Sequence, residues 1–165
     1  MSEISEAARI WLMTSDFANT EAGIKQNLIG AGWDIMPALP TGRTYPIAVS
    51  AIIDVPNQFA NADYSVEIFL RDDANRRPVV AADWDGPEAK AVRFANVVRA
   101  SANFAPGIPA QEMHFRHHAI LNFSAGLPLP AGRMYSWVLR IDGDEQRQAE
   151  CQFYVPAPAS GPIVG

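Results

Sequence analysis

Cysteine is almost missing from this sequence. The 165 residues include only Cys151, so the chain cannot form a disulfide within itself. A disulfide-stabilised scaffold is therefore excluded, and the shortage of thiols is typical of a reducing compartment. Cys151 lies in the alternating run Ala149–Val155, which predicts a buried, unreactive thiol. A chain of this length can bury a core large enough to fold as one domain without a metal ion.

Positive charge is also scarce, because 13 lysines and arginines stand against 18 aspartates and glutamates, and the formal net charge is −5. The basic residues are scattered along the chain, and Arg76 and Arg77 are their one adjacent pair. Nucleic acids and anionic membranes are bound through concentrated positive charge. We therefore expect no nucleic-acid partner and no electrostatic binding to membranes.

Long apolar runs are lacking as well, and none approaches the ~20 residues of a membrane-spanning helix. The segment Ser2–Glu6 is acidic where a signal peptide would be basic. These two features lead us to expect a soluble, cytoplasmic protein with no membrane insertion.

Helical periodicity does not extend over ~10 residues anywhere, and only single turns are predicted, at Asn57–Ala62 and Pro109–Phe115. Apolar and polar residues instead alternate in several runs, which is the pattern of strands with one buried face. The apolar rows are Ile47, Val49, Ala51, Ile53 and Val55; Tyr64, Val66, Ile68 and Leu70; Val92, Phe94, Val98, Ala100, Ala102 and Phe104; and Tyr135, Trp137, Leu139 and Ile141.

Turn-forming residues separate these rows. Asp142-Gly143 stands between two alternating runs, where this dipeptide is a strong hairpin signal. Asp72–Asn75 and Pro128–Gly132 divide other neighbouring runs. About eight short strands separated in this way predict an all-β fold, an antiparallel β-sandwich with minimal helix. A closed barrel is the alternative.

The organisation along the chain follows from composition. Residues 1–8 are interpreted as an N-terminal extension, residues 9–155 as a single β-sandwich domain, and residues 156–165 as a proline- and glycine-rich tail. Two strands, at Arg9–Phe17 and Lys25–Met36, are expected to open the domain. The second contains Gly30 and Gly32, and glycines inside a strand usually mark a bulge or a sharp bend.

Three groups of residues also carry a resemblance. They are Phe17-Ala18 with Gly23 and Gly30-Ala31-Gly32-Trp33; Tyr45-Pro46-Ile47 through Asp54-Val55-Pro56; and Leu129–Tyr135 with Trp137 and Ile141-Asp142-Gly143. In these groups the chain resembles a family of small bacterial proteins of unknown function. The resemblance spans roughly residues 9–155. It implies an all-β fold and supplies no activity, because the family is itself uncharacterised.

The three histidines, His114, His117 and His118, are the nearest approach to a metal-ligating pattern. Neighbouring residues of a strand point to opposite faces, so either His117 or His118 could join His114 in a site, but not both. The spacing is not that of a zinc motif such as HExxH. The competing interpretation is a set of strand-edge histidines that makes the surface sensitive to pH near 6.5. We assign no metal ion and no cofactor.

Trp84 is the best candidate for an exposed aromatic side chain that contacts a ligand. It lies within Asp83-Trp84-Asp85-Gly86, which contains part of a calcium-binding loop but lacks the third acidic ligand and the distal glutamate. Turn formation by the aspartates accounts for the same residues. Packing of Trp84 in a core or hairpin is the competing interpretation of this side chain.

No catalytic motif is present. The nucleophile elbow G-x-S-x-G is missing, so no catalytic residue is assigned and an enzyme is the least favoured class. The first hypothesis is a non-enzymatic interaction or structural module that binds a protein partner or itself through strand edges, loops or the tail. The tail would contribute Pro156, Pro158 and Pro162. The alternative is a sandwich that binds a small ligand or a metal at His114–His118.

Overall fold

A computed structural model of the chain describes residues 2–21, 25–82, 84–101 and 107–157. Strands dominate, and two 3-10 turns, Asn57–Phe59 and Ala110–Glu112, form where single turns are predicted. The elements are α1 (Glu3–Ala7), β1 (Arg9–Ser15), β2 (Phe17–Glu21), β3 (Lys25–Ile29), β4 (Ile47–Val55), β5 (Asp63–Asp72), β6 (Arg77–Pro78), β7 (Val80–Ala81), β8 (Lys90–Ala91), β9 (Arg93–Arg99), β10 (Phe115–Phe123), β11 (Arg133–Ile141) and β12 (Ala149–Val155).

Two antiparallel sheets form the body of the protein. The three-stranded sheet has the order β1-β4-β10. The five-stranded sheet has the order β12-β11-β5, and β5 then pairs with β9 along most of its length and with β6 at its end. Two small hairpins, β2–β3 and β7–β8, lie outside these sheets. The predicted all-β sandwich is confirmed, and the described strands do not close into a barrel.

The core lies between the two sheets and is built from the alternating rows. The row of β4 is 0–1% exposed, and the facing row of β5, which begins at Tyr64, is 0–6% exposed. Trp137 of β11 is fully buried, as its place in an alternating row predicts, and it stacks on Phe123 of β10 with ring centroids 5.3 Å apart. The members Ala102 and Phe104 of the β9 row lie outside the described residues.

The central strand β4 is buried on both faces because the β2–β3 hairpin lies against the three-stranded sheet. The side-chain amide of Gln26 in β3 donates to the carbonyl of Ala51 at 3.0 Å, and that of Asn122 in β10 donates to the carbonyl of Ala18 at 3.1 Å. Ala18 itself is 1% exposed. The hairpin is therefore packed onto the domain instead of projecting from it.

The two opening strands are shorter than predicted. Arg9–Phe17 divides at Asp16 into β1 and β2, and Lys25–Met36 ends as a strand at Ile29. Gly30 has a φ of 63°, and a Cβ there would lie 2.0 Å from the carboxylate of Asp16. A side chain at position 30 would be strained by both the backbone and the contact. The glycine thus marks the predicted bend, and the bend ends the strand.

The turn at Asp142-Gly143 forms as predicted. Both residues have positive φ, 50° and 69°, and the amide of Asp144 donates to the carbonyl of Ile141 at 3.0 Å. These are the features of a type I′ turn. Asp144 also accepts a hydrogen bond at 2.8 Å from Ser5 of α1, and Ile4 of that helix is buried. Part of the segment interpreted as an N-terminal extension therefore packs on the sandwich.

A polar network ties three strands together on the outer face of the five-stranded sheet. Arg71 of β5 donates two hydrogen bonds, at 2.9 and 2.7 Å, to the carboxylate of Glu150 in β12. Its Nε lies 3.0 Å from Asp73, which accepts a bond at 2.7 Å from Ser136 of β11. The hydrogen bond from Arg71 holds the pKa of Glu150 below its usual value. Only 6% of the Arg71 side chain is exposed, so its charge depends on these partners.

We expect Arg71→Ala to lower the free energy of unfolding by about 3 kcal/mol or more, because it leaves two carboxylates without their cation. Urea denaturation followed by circular dichroism measures the change. The matched control is Arg77→Ala, at an exposed position of β6, which should change stability by about 0.5 kcal/mol or less. Equal effects of the two variants would show that the network does not stabilise the sheet.

Candidate functional site

The two sides of the sandwich differ in the placement of their edge strands. On one side β1 and β12 come together, and the hydroxyl of Thr14 lies 3.5 Å from the thiol of the half-buried Cys151. On the other side the edge strands are β9 and β10, and within the described residues they pair only with β5 and β4 respectively. The sandwich is therefore open between β9 and β10.

A groove of about 320 Å³ occupies this open side. Its walls are the inner faces of the two sheets, and most of its surface is apolar. The residues that line it are Val66, Ile68, Phe94, Ala95, Asn96 and Val98 from the five-stranded sheet and His117, Ala119 and Leu121 from β10. The groove is therefore a part of the core surface that no described strand covers.

The backbone of β9 turns the N–H and C=O of every second residue away from β5, along the groove. At the two ends of the β5–β9 ladder, Leu70 donates to the carbonyl of Val92 and Ala100 donates to that of Ala62, both at 2.9 Å. Paired and unpaired positions alternate in an antiparallel ladder, so even-numbered residues of β9 bond to β5 and odd-numbered ones point outward. The amide of Val97 fits this alternation, because it donates to the side chain of Asn96 at 2.9 Å and not to β5.

The side chains at these odd-numbered positions lie on the outer face of the sheet. Val97 is 66% exposed, which is unusual for an apolar residue on a polar strand face. Arg93 and Arg99 stand at the two ends of β9, and their side chains are 55% and 62% exposed. Each is paired back toward β5, Arg93 with Glu67 at 2.5 Å and Arg99 with Asp63 at 3.7 Å. The edge thus carries an exposed valine between two arginines.

The histidines occupy three different surroundings. His117 faces the groove, and His118 lies on the opposite face of β10, as strand alternation predicts. His114 precedes β10, and its Nδ1 lies 2.5 Å from the carboxylate of Asp54, which is 5% exposed and also lies 3.5 Å from Arg116. Among the residues that the structure describes, no three side chains are grouped as metal ligands.

His118 is partly enclosed on the outer face of the three-stranded sheet. Its Nδ1 is buried and has no hydrogen-bond partner within the described ranges, and the same holds for the hydroxyl of Ser50. The two residues are diagonal neighbours, because His118 pairs with Ile52 and Ser50 pairs with Ile120. His118 therefore does not reach the groove that His117 lines.

Trp84 packs instead of standing exposed as a platform. Its ring meets Phe94 edge to face, with centroids 5.4 Å apart, and lies 6.3 Å from that of Phe123. Its Nε1 donates to the carbonyl of Lys90 at 3.2 Å. Because Phe94 lines the groove, Trp84 supports one of its walls from behind.

Other candidate residues lie in part beyond the described ranges. Asp83 of the calcium-loop fragment is outside them, and its neighbour Asp85 lies 3.9 Å from Lys90. Pro156 follows β12 directly, whereas Pro158 and Pro162 are outside the described residues.

The apolar rows predicted from the sequence contain four of the lining residues but place them in a closed core. These four are Val66, Ile68, Phe94 and Val98. The rows containing Val66, Phe94 and Val98 are typical of any buried strand face, and nothing in them reveals that the facing sheet ends at β10. One signal was present in the sequence. Val97 interrupts the polar face of β9 between Arg93 and Arg99, and an apolar residue there points to a contact.

No family model matches this chain, and neither a curated protein nor a solved structure matches it. The resemblance to a family of small bacterial proteins therefore stays a prediction. None of the helices in the described ranges is long and apolar enough to cross a bilayer.

We expect the protein to lose stability between about pH 7.5 and pH 5 through His117 and His118. Burial, and then the charge of His118, lowers the pKa of His117; burial, and then Arg116, lowers that of His118. The unfolded chain therefore binds more protons near pH 6.5. The stability that these histidines contribute is fully present above that pH and is lost as the pH falls through their folded-state pKa values.

Thermal unfolding midpoints at the two pH values measure this loss. Carboxylates contribute little to it, because they titrate mostly below about pH 5. His117→Leu, which removes one titrating group, should show a smaller fall in midpoint than the unchanged protein. An equal or larger fall in the variant would mean that His117 is not one of the sensing groups.

Proposed function

We propose that this protein is a non-enzymatic β-sandwich module that binds an extended segment of a partner protein at the open edge between β9 and β10. The observation that carries the proposal is the apolar groove beside the outward-pointing backbone groups of β9. An extended segment satisfies both features at once. Its backbone can pair with β9, and every second side chain can enter the groove.

The composition of the groove favours binding over catalysis. Among the described residues that line the groove, His117 is the one with a titratable side chain, and burial lowers its pKa, which favours the uncharged imidazole. General acid–base chemistry at such a site would need a second group within hydrogen-bond reach of the substrate. An apolar lining with two polar residues, His117 and Asn96, suits side chains that leave water.

The partner class and the compartment follow from charge and thiol content. A net charge of −5 with scattered basic residues disfavours nucleic acid, so the proposed partner is a protein. The single cysteine has no second thiol in the chain to oxidise with, which suits the reducing cytoplasm where we place the protein.

We expect Ala95→Pro to abolish strand addition while leaving the sandwich folded. Position 95 points its amide away from β5, so proline removes a hydrogen bond to the partner and none within the sheet. Ala95→Ser keeps the amide at nearly the same size and is the matched control. A phage-displayed library of random peptides of about 12 residues, long enough to span β9, supplies the probes. Peptides selected on the unchanged protein should bind Ala95→Pro about tenfold more weakly or worse, and Ala95→Ser almost as before.

Two further measurements keep the test decisive. The thermal midpoint of Ala95→Pro reports whether the variant is folded. Amide hydrogen exchange with a selected peptide should slow in β9 and along the groove. Failure to select any peptide above an unrelated control protein would overturn the proposal, and so would protection confined to another surface.

A further inference from the structure

We infer that the segment recognised at this edge is an apolar strand that carries two acidic residues six positions apart, one against Arg93 and one against Arg99. The inference rests on the proposed function and specifies the chemistry of the partner. It follows from the order of side chains along β9, from the N–H donors of its two arginines that face away from β5, and from the residues that line the groove.

The spacing comes from the strand itself. Arg93, Ala95, Val97 and Arg99 share the outer face of β9, so the arginines stand six residues apart with two apolar positions between them. A strand added to β9 places its own residues directly opposite these four. Acidic residues opposite the arginines must therefore also be six apart, and small or apolar residues are favoured opposite Ala95 and Val97.

Both arginines can serve a second carboxylate. A guanidinium has five N–H donors, and Nε is the atom that lies nearest Glu67 for Arg93 and nearest Asp63 for Arg99. Those carboxylates belong to β5, on one side of β9, whereas an added strand lies on the other side. Both arginine side chains are more than half exposed, so a carboxylate from another chain can reach them. Lysine at the same place would meet like charge, which destabilises a cross-strand pair.

The inner face of the segment is set by the groove. Residues that alternate with the acidic face would lie near Phe94 and Val98 on one wall and near Leu121 on the other. Burial lowers the pKa of His117 and so favours its uncharged form, and the other lining residues named here are apolar, so this wall suits apolar side chains. Apolar side chains at every second position therefore complete the recognised pattern.

A second copy of this chain fits the edge poorly. If β9 paired antiparallel with β9 of another copy so that all four outward residues were matched, Arg93 would face Arg99 of the other copy at both ends. Two like-charge pairs would oppose the association. The occupant is therefore a different protein that supplies carboxylates.

Four synthetic peptides of about 11 residues test the inference, all with valine at the groove-facing positions. The first has glutamates six apart, the second lysines six apart, the third glutamines six apart, and the fourth glutamates four apart. Fluorescence anisotropy should rank the first peptide tightest and about tenfold tighter than the second, the size expected from two cross-strand charge pairs. The third and fourth should lie between them, because each lacks at least one of the two pairs.

Arg99→Glu reverses one of the two contacts and should narrow or invert the preference between the glutamate and lysine peptides. Its thermal midpoint checks the fold. If all four peptides bind equally and Ala95→Pro still abolishes binding, the acidic specificity is wrong while the edge site stands. If none binds, the inferred segment is wrong, and the library selection decides the proposed function separately. Dimerisation of the unchanged protein that Ala95→Pro abolishes would identify a second copy as the occupant and overturn the inference.

Discussion

The difference in width between the two sheets determines where the core of this protein is covered and where it is open. The three-stranded sheet faces a five-stranded sheet that is four strands wide, because β6 and β9 lie on the same side of β5. The inner face of the wider sheet therefore extends past the last strand of the narrower one. On the side of β1 and β12 the two sheets come together, with the hydroxyl of Thr14 3.5 Å from the thiol of Cys151. On the side of β9 and β10 the difference in width leaves apolar side chains of β5 and β9 beside an edge whose alternate backbone groups point away from β5. The groove and the exposed Val97 both result from this difference in sheet width.

The alternation of apolar residues was enough to predict the sheets, because burial on one face requires period two whatever the strand order is. It also predicted that His117 and His118 point apart and that Trp137 is central. The ends of β1 and β3 were missed, since apolar residues continue past Asp16 and Ile29. A bend was predicted at Gly30, but its positive φ and close approach to Asp16, which end the strand there, do not show in the alternation. Helix α1 has five residues, too few to show a helical period. Which strands meet across the core is a long-range property, and so the open edge could not be read from any local run.

The outer face of the five-stranded sheet carries its arginines in two different settings. Arg71, in the middle of the sheet, has two carboxylate partners, Glu150 of β12 and Asp73 just after β5, so its charge is satisfied within the protein. Arg93 pairs with one carboxylate, Arg99 with one carboxylate and the carbonyl of Asn61, and both stand at the margin of the sheet. The difference arises from position, because an edge strand has a neighbour on one side only. Charges that serve structure in the middle of a sheet become available for recognition at its margin.

The hydrogen bond from the Val97 amide to Asn96 has a consequence for aggregation. An exposed strand edge is a template for indiscriminate pairing, and natural proteins protect such edges. Here a side chain of the strand itself occupies one outward amide at 2.9 Å. A chain that pairs with β9 at Val97 must displace the side chain of Asn96 from the backbone N–H of Val97. The new hydrogen bond to this N–H only replaces the one that was broken. A non-specific strand therefore gains no hydrogen bond at the middle of the edge. Only a segment that is complementary to the whole of β9 gains enough at its other positions to displace the Asn96 side chain.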